Sequence, residues 1–233
     1  MRLLATAGAE QPTEGPANRQ DRMKINEIYQ SIQGESSYAG LPCIFVRLTY
    51  CNLRCSYCDT AYAFYEGKDM TVDEVMTAVA GYGCFLVEVT GGEPLLQKEV
   101  FALMDRLVGA GYTVLLETGG SIDIEPVHPK VIKIMDLKCP SSGECHKNLY
   151  SNLDRLQSYD EVKFVIGTRE DYLWSKEIIE KHRLSERFPV LFSTVFRQLE
   201  PRTLVAWVLE DKLPVRFQLQ MHKYIWEPEA KGV

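Results

Sequence analysis

Three cysteines within eight residues carry the clearest chemical signal in the sequence. Cys51, Cys55 and Cys58 form a C-x3-C-x2-C motif in the segment C-N-L-R-C-S-Y-C. Cysteine thiolates are the usual protein ligands of iron–sulfur clusters. Three of them match a [4Fe–4S] cube in which one iron is left free, and that iron can hold a small-molecule chelate. The motif therefore predicts a cluster with an open coordination site.

A structural zinc site is the main alternative for this motif. Such a site takes four nitrogen or sulfur ligands, commonly as two separated pairs. The nearest other thiol, Cys43, lies eight residues upstream inside a predicted strand. The histidines all lie far along the chain, at His128, His146, His182 and His222. The ligand count therefore favours the cluster over zinc.

The composition excludes several classes of function. The chain has 233 residues, with 26 Lys and Arg against 32 Asp and Glu, and a net charge of −6. An acidic balance argues against nonspecific binding to nucleic acid or to anionic membranes. No run approaches the roughly 18 apolar residues of a membrane helix. Seven cysteines without a convincing leader peptide indicate reduced thiols, so we expect a cytoplasmic protein.

The N-terminal segment differs from the rest of the chain. Residues 1–22 contain little that a core could bury, and we expect a disordered extension there. Residues 23–233 are expected to form one domain. Met23 is an alternative start of the protein.

The elements that must position the cysteines alternate between strand and helix. Apolar runs predict strands at 43–49, 85–89, 113–116, 131–137, 162–166, 190–195 and 215–219. Helical periodicity predicts helices from Thr71 to Gly81, through Val100 to Gly109, and over 171–182 and 201–211. This alternation is typical of parallel strands joined by crossover helices. We predict an α/β fold, an open or partial TIM-like barrel, with its chemistry at the carboxyl ends of the strands.

Two motifs occupy those carboxyl ends. The cysteine triplet follows the first predicted strand, and Thr90-Gly91-Gly92-Glu93-Pro94 follows the second. Taken alone, the glycines and proline of the second segment could simply mark a turn. Together and in this order, the two motifs resemble the radical S-adenosylmethionine (SAM) superfamily. That resemblance implies a cluster whose open iron binds the amino and carboxyl groups of SAM and cleaves it to a 5′-deoxyadenosyl radical.

Further segments narrow the resemblance to one family. Ser31-Ile32-Gln33-Gly34-Glu35, the strand F-V-R-L ending at Leu48, Cys58-Asp59-Thr60 and Gln220-Met221-His222-Lys223 are similar to motifs of the 7-carboxy-7-deazaguanine synthase family. The matches extend from about Lys24 to Trp226. The resemblance implies ring contraction of 6-carboxy-5,6,7,8-tetrahydropterin to 7-carboxy-7-deazaguanine, with loss of ammonia, on the route to queuosine and related 7-deazapurines. It also implies catalytic use of SAM and a requirement for Mg²⁺.

Arg47 is the residue best suited to bind the substrate carboxylate. It precedes the cysteine loop by a few residues, and a guanidinium can hold a carboxylate through two hydrogen bonds. The alternation of a strand also allows it to face outward toward the helices. The resemblance adds Ile32, Gln33, Gly34, Thr90 and His222 as substrate contacts, with His222 on the last strand. It assigns the Thr60 hydroxyl to Mg²⁺.

The resemblance also implies a SAM site. Its residues would be Tyr57, Cys58, Gly92, Glu93, Asp136, Leu137, Lys138 and Ser193. The loop that begins at Asp136 departs from the family's usual S-P-K sequence and matches it only at Lys138. A second cluster at Cys139 and Cys145 would have too few thiols even with Cys84, so we expect these cysteines to be free.

Two other functions use the same motif. One is an activating enzyme whose radical takes hydrogen from a glycine of a partner protein, and the other is a redox or scaffold module that does not cleave SAM. Gln33, Arg47 and the Gln220-x-His222-Lys223 segment favour a small anionic heterocycle as substrate. The resemblance further implies a homodimer and a reducing partner such as flavodoxin.

Overall fold

A nine-stranded sheet forms the centre of the molecule. The computed structural model describes residues 22–233. In chain order the strands are β1 (Arg22–Ile32), β2 (Pro42–Leu48), β3 (Lys68–Thr71), β4 (Leu86–Gly91), β5 (Thr113–Thr118), β6 (Ile132–Asp136), β7 (Glu161–Ile166), β8 (Val190–Thr194) and β9 (Arg216–Phe217). Their order in the sheet is β3-β1-β2-β4-β5-β6-β7-β8-β9. The predicted α/β fold with an open, mostly parallel sheet is confirmed.

The seven predicted strands correspond to β2 and β4–β9, and each is parallel to its neighbour. The sequence analysis missed β1 and β3, which pair antiparallel at one edge of the sheet. The last strand is also shorter than predicted, because β9 has two residues where five were expected. Arg22 already belongs to β1, while the rest of the predicted extension lies outside the described residues.

Helices connect several of the strands, and the last helix follows the final strand. They are α1 (Val72–Ala80), α2 (Glu99–Gly109), α3 (Arg169–His182), α4 (Leu184–Arg187), α5 (Pro201–Glu210) and α6 (His222–Ile225). Thr71 and Glu74 form the capping box that the sequence predicted at the start of α1. A second capping box, of Thr168 and Asp171, starts α3 two residues earlier than expected. Among the helices within residues 22–233, none has the length and apolar character needed to cross a bilayer.

The two faces of the sheet bury different side chains. Most of the core lies between the sheet and the helices. The inner face carries a smaller apolar cluster of Cys43, Phe45, Leu86, Leu115, Ile134 and Leu191. Because side chains alternate between the two faces of a strand, the residue two positions after each member of this cluster lies on the same inner face. Several of these positions are charged, at Arg47 on β2, Glu88 on β4, Glu117 on β5 and Asp136 on β6. The inner face is therefore apolar near the start of the strands and polar toward their carboxyl ends.

Candidate active site

A cavity of about 810 Å³ opens at the carboxyl ends of the parallel strands. Most of the predicted site residues line it together. They are Ile32, Gln33, Gly34, Arg47, Cys51, Cys55, Tyr57, Cys58, Thr60, Thr90, Gly92, Asp136, Lys138 and His222. Arg47 faces this cavity, so the outward orientation considered for it is wrong. The predicted cluster, SAM and substrate positions thus share one space.

Three predicted SAM contacts do not line the cavity. The Glu93 carboxylate is fully buried and accepts hydrogen bonds from the Thr118 hydroxyl and, over 2.8 Å, from the Gly119 N–H. The Leu137 side chain belongs to the apolar core. Ser193 is fully buried, and its hydroxyl has no partner among the described residues. The geometry therefore gives no support to side-chain contacts of Glu93 and Leu137 with SAM, and Glu93 instead ties the loop after β4 to the end of β5. Ser193 lies two positions after Leu191 and so on the inner face, and its contact with SAM stays a prediction.

Backbone contacts fix the cysteine loop against the loop that follows β4. Tyr50, which has a left-handed φ of 80°, accepts a hydrogen bond from the Glu93 N–H over 2.8 Å. A side chain at Gly92 would lie 2.3 Å from the Tyr50 carbonyl oxygen and 2.7 Å from Cys51 Cβ. Gly92 is thus required for the close approach of the two loops. The glycine segment and the cysteine triplet form one structural unit.

The three thiols suit an iron–sulfur cube better than a single ion. All three are free, and all face the cavity. Within residues 22–233, no three His, Cys, Asp or Glu side chains converge on one metal ion. A cube takes one thiolate on each of three irons, so its ligands need not converge. The donor set therefore fits the cluster and gives no support to the zinc alternative.

Charges near the triplet act on its protonation. Burial raises the pKa of Cys55 to about 11, while the Lys138 ammonium acts in the opposite direction and favours the thiolate. Lys138 Nζ lies 2.8 Å from Asp136 Oδ2. Although burial lowers the pKa of Lys138, the Asp136 carboxylate raises it above its usual value, so Lys138 remains charged. A cation is thus held beside the thiols.

Arg47 is held by its neighbours on β1. Glu27, its direct partner across the antiparallel pair, accepts from Arg47 Nε over 2.8 Å, and the Tyr29 hydroxyl accepts from Nη2 over 3.0 Å. The Tyr62 hydroxyl donates to the same Glu27 oxygen over 2.8 Å. A guanidinium has five N–H donors, so three remain for a ligand. Arg47 can therefore bind a carboxylate without losing its support.

A buried polar network lies on the inner face beside Gln33, and the sequence analysis missed it. Lys163 Nζ contacts Glu35 Oε2 at 3.0 Å and Glu117 Oε1 at 2.7 Å, and Glu88 accepts a hydrogen bond from the Gln33 amide. Glu88, Glu117 and Lys163 also line the cavity. The sequences of strands in a parallel sheet normally consist of continuous runs of apolar residues. The charged residues within L-V-E-V and E-V-K-F-V-I were therefore the signal that could have revealed this network.

The C-terminal segment forms the far wall of the cavity. His222 lies at the start of α6 and not on a strand, which corrects the prediction of a closing strand. A side chain at Gly34 would lie 2.7 Å from His222 Nδ1, so the two residues are in close contact. Burial lowers the pKa of His222, which favours the neutral imidazole. Residues 227–233 also line the cavity, and no motif pointed to them.

The Thr60 hydroxyl lies at the edge of the cavity next to Asp59. It donates to Asp59 Oδ1 over 2.9 Å. Asp59 Oδ2 lies 2.5 Å from Lys223 Nζ, and despite burial this ammonium lowers the pKa of Asp59 to about 2. The carboxylate therefore stays ionised. Hydroxyl and carboxylate oxygens are ligands that Mg²⁺ prefers.

Comparisons with known proteins agree with this geometry. The family model described as the radical SAM superfamily matches residues 46–136. The 7-carboxy-7-deazaguanine synthase of Koribacter versatilis is 50% identical over 228 residues, covering 91% of this chain and 100% of that protein. The synthase of Chlorobaculum tepidum is 48% identical, covering 95% and 99%. The chain belongs to the 7-carboxy-7-deazaguanine synthase family.

Solved structures agree on the fold of this synthase family member. The crystal structure of QueE from Escherichia coli superposes with a TM-score of 0.71 at 19% identity, covering 88% of this chain and 99% of that one. SuiB of Streptococcus suis, bound to its precursor peptide, gives a TM-score of 0.54 over 76% of this chain. As a radical SAM enzyme of the synthase family, the chain uses a [4Fe–4S] cluster and SAM.

Proposed function

We propose that this cavity converts 6-carboxy-5,6,7,8-tetrahydropterin to 7-carboxy-7-deazaguanine with release of ammonia. The observation that carries the proposal is the meeting of the cysteine triplet with Arg47 and Gln33 in one cavity of about 810 Å³. Pockets for small ligands measure about 300–1,000 Å³, so the space suits a small heterocycle beside a cofactor. The relatives named above favour this function over activation of a glycyl-radical partner.

The chain's residues divide between the two ends of the cavity. Cys51, Cys55 and Cys58 would hold the cluster through three of its irons. When bound, the cluster and SAM supply a 5′-deoxyadenosyl radical. Residues that line the wall next to the triplet bind and orient SAM, and they are Tyr57, Gly92, Asp136 and Lys138.

The other end of the cavity binds the pterin. Arg47 uses its free N–H groups to hold the 6-carboxylate, which positions the ring for attack. Gln33 provides a planar amide for the edge of the heterocycle, while Ile32, Gly34, Thr90 and His222 complete the wall. Thr60 would give its hydroxyl oxygen to Mg²⁺.

Partners and organisation follow from the same proposal. The cluster would require a reducing partner such as flavodoxin as its source of electrons, and the proposed functional form is a homodimer. Residues 23–233 act as one radical SAM domain. All seven cysteines lie within residues 22–233 and none of them forms a disulfide, which suits the reducing cytosol.

Turnover by the reconstituted protein tests the function. Anaerobic protein carrying its cluster receives dithionite, Mg²⁺, SAM and 6-carboxytetrahydropterin, and the product is followed by absorbance and mass. Formation of 7-carboxy-7-deazaguanine supports the proposal. Cleavage of SAM without this product would favour the glycyl-radical alternative, and a loaded cluster that never cleaves SAM would leave a redox or scaffold role.

A further inference from the structure

The side-chain amide of Gln33 is held in one orientation inside the cavity. Its Nε2 donates to Glu88 Oε2, and its Oε1 accepts from the Glu35 backbone N–H over 2.5 Å. Gln33 is 2% exposed and Glu88 is 3% exposed, so water competes little for these bonds. Rotation of the amide by 180° would turn its NH₂ group toward the Glu35 N–H, a contact between two donors. The pair of contacts therefore selects one orientation.

These two bonds determine what Gln33 can offer to a ligand. A glutamine amide has two N–H donors and two oxygen lone pairs. Glu88 takes one donor and Glu35 takes one lone pair. One donor on Nε2 and one lone pair on Oε1 remain, and both belong to the same planar amide. This pair complements an edge that carries a carbonyl oxygen beside an N–H, which is the lactam edge of a pterin.

Glu88 has no cation bound to its carboxyl group among residues 22–233. The nearby Lys163 is engaged by Glu35 and Glu117, and Arg47 is engaged by Glu27. Burial and the neighbouring Glu117 carboxylate raise the pKa of Glu88 well above its usual value, an effect that Glu35 strengthens and that Lys163 and Arg47 oppose. A neutral carboxyl group still accepts the Gln33 N–H. Its shape and hydrogen-bonding capacity are close to those of a glutamine amide.

We infer that Glu88 is a positioning residue that fixes the Gln33 amide so that it reads the lactam edge of the pterin. The inference rests on the proposed function, because it takes a pterin as the ligand of Gln33. It adds to that function a residue outside the motifs that carry the family resemblance. Glu88 acts through Gln33, so its removal should weaken pterin binding only as long as Gln33 is present.

A double-mutant cycle on pterin binding tests this dependence. Titration calorimetry with 6-carboxypterin, which has the same lactam edge and carboxylate as the substrate, is run on cluster-loaded wild type, Glu88→Met, Gln33→Ala and the double variant. Methionine is similar to glutamate in length and suits a buried position. We expect Glu88→Met to bind roughly tenfold more weakly, and the double variant to bind no more weakly than Gln33→Ala alone.

Two further variants separate positioning from general damage. Glu88→Gln keeps an oxygen that accepts from Gln33 and should restore an affinity within about twofold of wild type. Glu161→Gln alters another buried carboxyl group, which accepts a hydrogen bond from the Ser37 N–H over 3.0 Å. This bond holds the loop between β1 and β2, in which Gln33 also lies, without contacting Gln33 itself. The Glu161→Gln variant should bind 6-carboxypterin as wild type does. The affinity for SAM should be unchanged in all of these proteins.

Several results would overturn the inference. If Glu88→Met bound 6-carboxypterin with wild-type affinity, Glu88 would have no positioning role. If the losses of affinity were additive in the double variant, Glu88 would act independently of Gln33. If Glu88→Gln bound 6-carboxypterin as weakly as Glu88→Met, the loss of affinity would be due to charge and not to the orientation of the Gln33 amide. The Glu88→Gln variant also decides between these explanations if Glu88→Met does not fold. Failure of the wild type itself to bind 6-carboxypterin would instead count against the proposed substrate.

Discussion

At the scale of single residues, the three cysteines differ from the other thiols in what they face. Cys51, Cys55 and Cys58 line the cavity, whereas Cys84 donates to the backbone carbonyl of Pro42 away from it. The predicted role of these three cysteines as cluster ligands therefore rests on their location in the cavity as well as on the C-x3-C-x2-C spacing. The distinction gives each cysteine variant a matched control.

Replacing Cys55 with alanine should leave a folded protein that holds little cluster. One of three thiolate ligands is lost, so the visible absorbance and iron content of the reconstituted protein should fall, and SAM cleavage should stop. Cys84→Ala should keep both. Retained cluster and SAM cleavage in Cys55→Ala would contradict the assignment of the triplet.

Replacing Arg47 with alanine should separate product formation from radical generation. A hydrogen bond to a charged group contributes about 1.5–3 kcal/mol, so kcat/KM for the pterin should fall about 10- to 150-fold. Uncoupled SAM cleavage should continue, because the cluster and the SAM wall are unchanged. Arg47→Lys keeps the positive charge but cannot form two parallel hydrogen bonds to one carboxylate. This variant should therefore recover only part of the activity. Equal loss of SAM cleavage and product would make Arg47 a structural residue.

At the scale of elements, the loops after β2 and β4 depend on backbone proximity that glycine allows. Gly92→Ala would place a methyl group 2.3 Å from the Tyr50 carbonyl oxygen. We expect the free energy of unfolding to fall by about 1–3 kcal/mol and cluster loading to fall with it. Chemical denaturation and iron content measure the two effects.

Gly109 provides the matched control for this substitution. It ends α2, and a methyl group there would meet no atom within 4 Å. Gly109→Ala should leave cluster loading unchanged and raise the free energy of unfolding by up to about 1 kcal/mol, because alanine restricts the unfolded chain more than glycine does. Equal behaviour of the two variants would contradict the argument for close approach.

The parallel strands could be predicted from the sequence because they are buried on both faces. Their apolar runs, followed by turn residues, located β2 and β4–β8 to within a few residues. The edge strands gave weaker signals. In β1 the register shifts between Ile25 and Glu27, which interrupts the two-residue alternation, and β3 reads K-D-M-T with a single large apolar residue. The strand predicted at 215–219 is shorter in the structure, because only Arg216 and Phe217 pair with β8.

The site was predictable where it follows a motif and not where it depends on packing. Cys51, Gly92 and Arg47 lie at strand ends that the motifs mark. Charges within apolar strands marked Glu88 and Lys163 as unusual, but the groups that they contact became apparent only when neighbouring strands brought the side chains together. Leu137 proved to belong to the apolar core, and Ser193 is fully buried and does not line the cavity. Which face of a strand points inward depends on register across the whole sheet, which no local pattern determines.

At the scale of the whole molecule, the buried carboxyl group of Glu88 should make stability depend on pH. Unfolded glutamate loses its proton near pH 4.5, whereas burial keeps the group protonated in the folded protein to higher pH. The folded state then binds more protons, so the free energy of unfolding falls as pH rises above 4.5, by at most about 1.4 kcal/mol per pH unit.

Glu88→Gln removes this titration. The difference in the free energy of unfolding between the variant and wild type should therefore increase from pH 5 to pH 8 in favour of the variant, as measured by urea denaturation at both values. A difference that is constant across this range would show that Glu88 titrates in the folded protein as it does in the unfolded chain.

The ratio of product to SAM tests the account as a whole most directly. Cluster-loaded protein is given dithionite, Mg²⁺, excess 6-carboxytetrahydropterin and only one equivalent of SAM, and both 7-carboxy-7-deazaguanine and 5′-deoxyadenosine are quantified by mass spectrometry. Catalytic use of SAM in a cavity that holds both molecules predicts many equivalents of product with most SAM recovered. Deoxyadenosine accumulating to one equivalent without 7-carboxy-7-deazaguanine would contradict it.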